Sequence, residues 1–190
     1  MKKFIKDIFN KGNFKDYFKR NKIFLIVSLI VLVLSIYSGF TDSQSYIAFS
    51  NHSFGQSFIS NNSIDTLSNI LTSFAMMLYN NLYIIVMGLS FSVLAMLSFV
   101  ANTVSIGYLL NQLNTSLSVP SVIFMLIASV FAMCGAFLVT KMEVRFIGYL
   151  INSKKNSLTK LKVPLKDLIL SMVIMIICIL IASILNAVLL

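Results

Sequence analysis

The sequence contains no tryptophan, one histidine, two cysteines and two prolines, and only 11% of its 190 residues are charged. A soluble domain normally carries about 25% charged and 45–50% apolar residues, whereas 58% of this chain is hydrophobic. Between residues 23 and 140 there is no lysine or arginine. Because a soluble protein could not cover its surface with 118 residues that lack a basic side chain, we exclude a soluble domain.

Titratable side chains are too few to indicate an enzyme. His52 is the only histidine, and neither an HExxH nor a GxSxG motif is present. Cys134 and Cys178 lie in apolar segments without CxxC spacing, which is typical of small core residues. The predicted spans contain no Asp, Glu, Lys, Arg or His, which argues against an ion-coupled pump. We therefore expect no catalytic residue, metal or cofactor.

The 15 basic residues form two blocks, with eight between Lys2 and Lys22 and seven between Lys141 and Lys166. No nucleic-acid-binding motif accompanies them, so the net charge of +9 indicates anionic lipid rather than nucleic acid as the partner. Residues 1–22 alternate lysine with Phe and Ile, which predicts a basic amphipathic segment on the cytoplasmic leaflet. A solvated basic tail is the alternative.

Apolar runs predict an all-α, multi-pass transmembrane helical bundle over residues 23–190. A helix needs about 20 residues to cross a bilayer, and four spans are clear, at residues 23–40, 82–100, 120–139 and 168–190. The positive-inside rule places both basic blocks in the cytoplasm and the polar segment 41–65 outside.

Parity then requires a fifth crossing, which puts the C-terminus outside the cell membrane. If residues 120–139 run inward, the chain must cross an even number of times between residues 65 and 120. Two segments are candidates for the missing crossing. One is the amphipathic stretch 67–80, which is short enough for an interfacial or re-entrant helix, and the other is the polar stretch 103–118. We favour residues 103–118.

Small residues recur every fourth position on several predicted spans. Such stripes let helix backbones approach closely in lipid. We favour packing inside the bundle over a subunit interface, although a homo-oligomer is compatible with the same pattern. The stripes comprise Gly88 with Ser92, Ser98 with Asn102, Ala128 with Ala132 and Ala136, and Cys178 with Ala182 and Asn186.

The segment from Asn80 to Gly135 resembles the stage II sporulation protein M family of membrane proteins. That family shows a paired Asn before a span, an Asn-Gly-x-x-x-Gly spacing, then a Pro-His-Gly followed by small residues every fourth position. The corresponding candidate residues here are Asn80, Asn81, Gly88, Asn102, Gly107, Pro120, Ala128, Ala132 and Gly135.

The chain departs from this family at four positions. Ser121 and Val122 replace the His and Gly, Met125 replaces a Glu, and Thr103 replaces a Gly. This makes the chain a divergent member in which any role of that His and Glu is absent. The resemblance implies a non-catalytic organiser that holds cell-wall-degrading enzymes at the membrane, with envelope proteins as partners.

A transporter subunit or small channel is the alternative function. The uncharged polar side chains of Asn102, Asn111, Gln112 and Asn114 could line a wet path near a broken helix. A linker exposed outside the membrane explains the same residues equally well.

Overall fold

A computed structural model describes residues 8–41, 66–111, 119–152 and 161–188, and these ranges are helical throughout apart from short turns. The described chain contains five α-helices and a short 3₁₀ turn, Gly88–Ser90. The α-helices are α1 (Lys11–Thr41), α2 (Thr66–Met87), α3 (Val93–Asn111), α4 (Val119–Asn152) and α5 (Lys162–Val188).

Four of these helices are long and apolar enough to cross a membrane. Their apolar parts are Gly12–Thr41, Ile70–Ser90, Val119–Leu150 and Lys162–Val188. The fifth helix, α3, has a shorter apolar stretch at Val93–Tyr108. The prediction of an all-α, multi-pass helical bundle is confirmed.

The division of the chain between residues 66 and 111 differs from the predicted spans. The apolar run 82–100 is not one helix, because the 3₁₀ turn and two left-handed residues, Phe91 (φ 52°) and Ser92 (φ 61°), interrupt it. Residues 67–80 belong to α2, and the polar stretch after Asn102 continues α3 as far as Asn111. Mean hydropathy does not detect this interruption of the helix, because Gly88, Ser90 and Ser92 carry no charge and lie among apolar residues.

The basic segment and the first apolar run form one helix in the structure. Helix α1 continues from Lys11 through Lys22 to Thr41, so the predicted boundary at residue 22 falls within it. Several predicted features lie outside the described residues: the first seven residues, most of the outer segment 41–65 with His52, Gln112, Asn114, and part of the second basic block.

Helix α4 lies at the centre of the bundle, and α5 packs antiparallel to it. At one end Ser121 Oγ donates to the Ala182 carbonyl at 2.9 Å. At the other end a Cβ on Gly135 would lie 3.5 Å from Leu168. The small face of α4 is fully enclosed, since Ala128, Ala132 and Ala136 have no exposed surface. This stripe therefore packs inside the bundle, as favoured from the sequence.

Helices α1 and α3 cross at two glycines. A Cβ on Gly39 would collide with the backbone carbonyl of Val104, and a Cβ on Gly107 would collide with that of Ile36. No other residue fits either position without moving a backbone. This reciprocal contact fixes the C-terminal half of α1 against α3.

Helix α1 also contacts α4 through aromatic rings. Tyr17 stacks on Phe131 with ring centroids 6.4 Å apart, and Phe24 stacks on Phe137 at 5.3 Å. The Lys141 ammonium lies 5.6 Å from the centroid of the Phe24 ring. These contacts place residues 17–24 of α1 beside residues 131–141 of α4.

Candidate functional site

A buried ion pair joins the first and last helices. Asp167, in the second turn of α5, is 1% exposed. Arg20 of α1 binds it with both arms, through Nε to Oδ2 at 3.1 Å and through Nη2 to Oδ1 at 2.5 Å. Two parallel charge-assisted hydrogen bonds fix orientation as well as distance.

Further hydrogen bonds surround this pair. Asn21 Nδ2 donates to Asp167 Oδ2 at 3.1 Å and to the Tyr17 carbonyl at 3.0 Å. The Tyr17 hydroxyl lies 2.5 Å from Ser171 Oγ and 3.5 Å from Cys134 Sγ, so the network also reaches α4. We call Tyr17, Arg20, Asn21, Asp167 and Ser171 the polar clamp.

Helical spacing aligns the clamp. Tyr17 lies three and four residues before Arg20 and Asn21, and Asp167 lies four residues before Ser171, so each set occupies one helix face. The Arg20 side chain remains 33% exposed, which lets its guanidinium stay partly hydrated, while that of Asp167 is only 2% exposed. The carboxylate therefore depends on its protein partners far more than the guanidinium does.

The chemistry available to the clamp is limited. Ser171 Oγ faces a tyrosine hydroxyl rather than a general base, so it lacks the activation that a nucleophile requires. Within the described ranges, His, Cys, Asp and Glu form no group of three that could hold a metal ion. In the described part of the chain, the clamp residues bind one another and thereby join α1 to α4 and α5.

A second polar contact holds the interruption between α2 and α3 against α4. Thr140 Oγ1 donates to the Gly88 carbonyl at 2.7 Å and lies 2.5 Å from Ser92 Oγ. A Cβ on Gly88 would approach the Ala136 carbonyl to 2.5 Å, so glycine lets the end of α2 lie on the α4 backbone. The hydroxyl bonds partly replace the helical hydrogen bonds lost at the break.

The residues predicted from the family pattern do not converge on one site. They are spread over three helices and the 3₁₀ turn. Asn80 and Asn81 are buried in α2, where Asn81 Nδ2 donates to the Met77 carbonyl at 2.8 Å. The small residues pack within the bundle: Gly88, Gly107, Ala128, Ala132 and Gly135. Asn102 is half-buried, and Pro120 is exposed in the first turn of α4.

The polar residues predicted to line a path are not brought together in the described chain. Asn111 is exposed, and its Nδ2 donates to the Phe40 carbonyl at 2.9 Å, which ties α3 to the end of α1. Asn102 lies more than two turns earlier on α3. Asn111 therefore links α3 to the end of α1.

Sequence reasoning missed the polar clamp. The predicted spans begin at residue 23 and at residue 168, so Arg20 falls in the basic amphipathic segment and Asp167 falls just before the last span. Asp167 follows Pro164 in the first turns of a helix, where an acidic residue ordinarily complements the helix dipole. Its true partner is 147 residues away and has no local signature.

The chain was compared with models of known protein families, with curated proteins and with solved structures, and none of the three comparisons found a match. The resemblance to the sporulation family therefore rests on the sequence pattern alone.

Proposed function

We propose that this protein is a non-catalytic integral membrane scaffold, or membrane subunit, of envelope or cell-wall remodelling machinery. The polar clamp is the observation that carries the proposal. Buried polar groups in membrane proteins commonly mark substrate paths or relays, whereas these join α1, α4 and α5 to one another. The family pattern supports the same function. In this proposal both basic blocks face the cytoplasm, as the positive-inside rule predicts.

The partner-binding surface of this scaffold would be the end of α4 that follows its last uncharged stretch, which ends at Thr140. Residues 141–152 extend this helix by about 18 Å at 1.5 Å per residue. This extension carries exposed apolar side chains, with Val144 53% and Leu150 61% exposed. The small-residue face of Ala128, Ala132 and Ala136 does not serve this purpose, because these residues are buried inside the bundle.

A pull-down with matched variants tests the scaffold. The tagged protein is purified from its native cells in mild detergent, and co-purifying proteins are identified by mass spectrometry. We expect envelope proteins or wall hydrolases with the wild type, and their loss from the double variant Val144→Ser/Leu150→Ser. The control Val163→Ser alters a comparably exposed residue, 46% exposed, in the first turn of α5. A co-purifying ATPase or solute-binding protein would contradict the scaffold.

A transport function is the second candidate, and the interrupted helix at residues 88–92 favours it. Broken helices next to polar groups form binding sites in transporters, and the hydroxyls of Ser92 and Thr140 lie at this break. Flux through proteoliposomes that is lost in Thr140→Val and kept in Thr140→Ser would support transport. Absence of flux for ions and small solutes in the wild type would count against it.

A further inference from the structure

The link between α2 and α3 is strained. In the described chain only Phe91 and Ser92 have a positive φ, at 52° and 61°. Left-handed backbone costs energy for a residue with a Cβ atom, and it persists only where surrounding contacts hold it in place. Helix α3 begins with its own cap, because Ser90 Oγ accepts a hydrogen bond from the Leu94 N–H group at 3.2 Å. The two helices are therefore separate elements joined by a link that stores strain.

Helices α1 and α3 form one unit. Gly39 and Gly107 bring their backbones into direct contact, where an added Cβ would collide with a carbonyl of the other helix. Helix α1 has 31 residues and is about 46 Å long at 1.5 Å per residue. Its residues 13–38 include neither glycine nor proline, which are frequent causes of a kink. A movement of α3 at the link would therefore be transmitted along α1 to the polar clamp.

The polar clamp is the attachment of α1 that can open. It ties Tyr17 and Arg20 to Ser171 and Asp167 near the start of α5. The Arg20 side chain is 33% exposed, so water can replace the hydrogen bonds that the guanidinium loses. The glycine contacts with α3 offer no such exchange, because two backbones meet there without a side chain between them. Of these two attachments, α1 should release the clamp first.

We propose that α1 and α3 form a lever that pivots about residues 88–92 and that the polar clamp locks it. In the locked state, the clamp and the Thr140 hydroxyl, which lies 2.5 Å from Ser92 Oγ, hold the link in its left-handed conformation. Release of the clamp lets Phe91 and Ser92 relax and carries the first half of α1 away from α4 and α5. The proposal concerns the fold and is independent of the scaffold function.

Distances between spin labels, measured by pulsed electron paramagnetic resonance, test the lever. The full-length protein in detergent carries two labelled cysteines in an otherwise cysteine-free background. The pivot pair joins the lever to α5, at Gly12, where an added Cβ meets no atom within 4 Å, and at Ile177, which is 52% exposed. The lever pair lies within the unit, at Val33 and Leu97, which are 61% and 55% exposed.

Arg20→Ala should add a longer-distance component for the pivot pair and leave the lever pair unchanged. Because breaking a buried ion pair from one side is strongly destabilising, the ratio of open to locked protein should rise at least about a hundredfold. Asp167→Asn is the milder variant and should raise this ratio about tenfold. A longer component in both pairs would indicate that the helices separate or unfold, and no longer component with either variant would mean that the lever does not pivot. Either result would overturn the proposal.

Glycine at the link tests the stored strain. Phe91→Gly, at a residue that is 58% exposed, removes the left-handed cost with little loss of packing. In the Arg20→Ala background it should lower the ratio of open to locked protein by about fivefold or more. The control Val93→Gly changes a residue that is 61% exposed and has no positive φ, so it should not lower this ratio. If Phe91→Gly lowers the ratio no more than Val93→Gly does, the proposal is overturned, because α1 then leaves the clamp without any contribution from the link.

Discussion

Removing Arg20 should destabilise this protein more than neutralising Asp167. Arg20→Ala leaves Asp167, which is 1% exposed, with the Asn21 amide as its remaining side-chain donor in the described part of the chain. Breaking a buried ion pair from one side costs about 3–5 kcal/mol. Asp167→Asn leaves a guanidinium whose side chain is already 33% exposed and can reach water, so the loss should be nearer the ~1–3 kcal/mol of an unmade hydrogen bond.

The two cysteines provide the assay. Cys134 and Cys178 are both buried, so a thiol-reactive fluorophore will report unfolding in detergent as each becomes accessible. At about 2–4 °C per kcal/mol for a chain of this size, Arg20→Ala should lower Tm by roughly 6–20 °C. The control Asp16→Asn, at a side chain that is 63% exposed and 3.9 Å from Arg20 Nη1, should lower Tm by no more than about 4 °C.

A double variant separates the effect of the two charges on stability from the effect of the side-chain volume that the ion pair fills. Replacing a buried ion pair with apolar residues of similar volume is often neutral or stabilising, so Arg20→Met/Asp167→Leu should recover much of the stability lost in Arg20→Ala. The reasoning is refuted if Arg20→Ala and Asp167→Asn lower Tm equally, or if the double variant is less stable than either.

Two further variants test the helix contacts. Gly107→Ala should push α3 away from the Ile36 carbonyl and abolish a monodisperse peak in size-exclusion chromatography, whereas Gly148→Ala, with no atom within 4 Å of the added Cβ, should elute as the wild type does. Thr140→Val removes the hydroxyl that donates to the Gly88 carbonyl and should lower Tm by about 2–8 °C. Thr140→Ser keeps the hydroxyl and should not lower Tm. Equal losses of Tm in the two variants would show that the hydroxyl does not stabilise this contact.

Helix content and the small-residue packing were predictable from the sequence, because both follow from local composition. The absence of lysine and arginine between residues 23 and 140 and the stripe of Ala128, Ala132 and Ala136 can be seen without knowing any distant partner. The interruption at Gly88–Ser92 was not predictable by hydropathy, since serine and glycine leave an apolar average intact. Its stability depends on Thr140, 48 residues after Ser92.

The polar clamp could not be predicted from the sequence for a related reason. A lone aspartate among lysines at the start of a helix has an ordinary explanation in the helix dipole. Only the packing of α1 against α5 gives Asp167 its bidentate partner.

Cysteine labelling in intact cells tests the central claim, that this is a membrane protein with both basic blocks on the cytoplasmic face. The single-cysteine variants Gly12→Cys, Gly148→Cys and Ser45→Cys are made after Cys134 and Cys178 are replaced by alanine. A Cβ at Gly12 or Gly148 meets no atom within 4 Å, so both changes leave the packing intact. A membrane-impermeant maleimide should label only the position of Ser45 from outside, and the two glycine positions only after lysis. Labelling of either glycine position in intact cells would contradict the account.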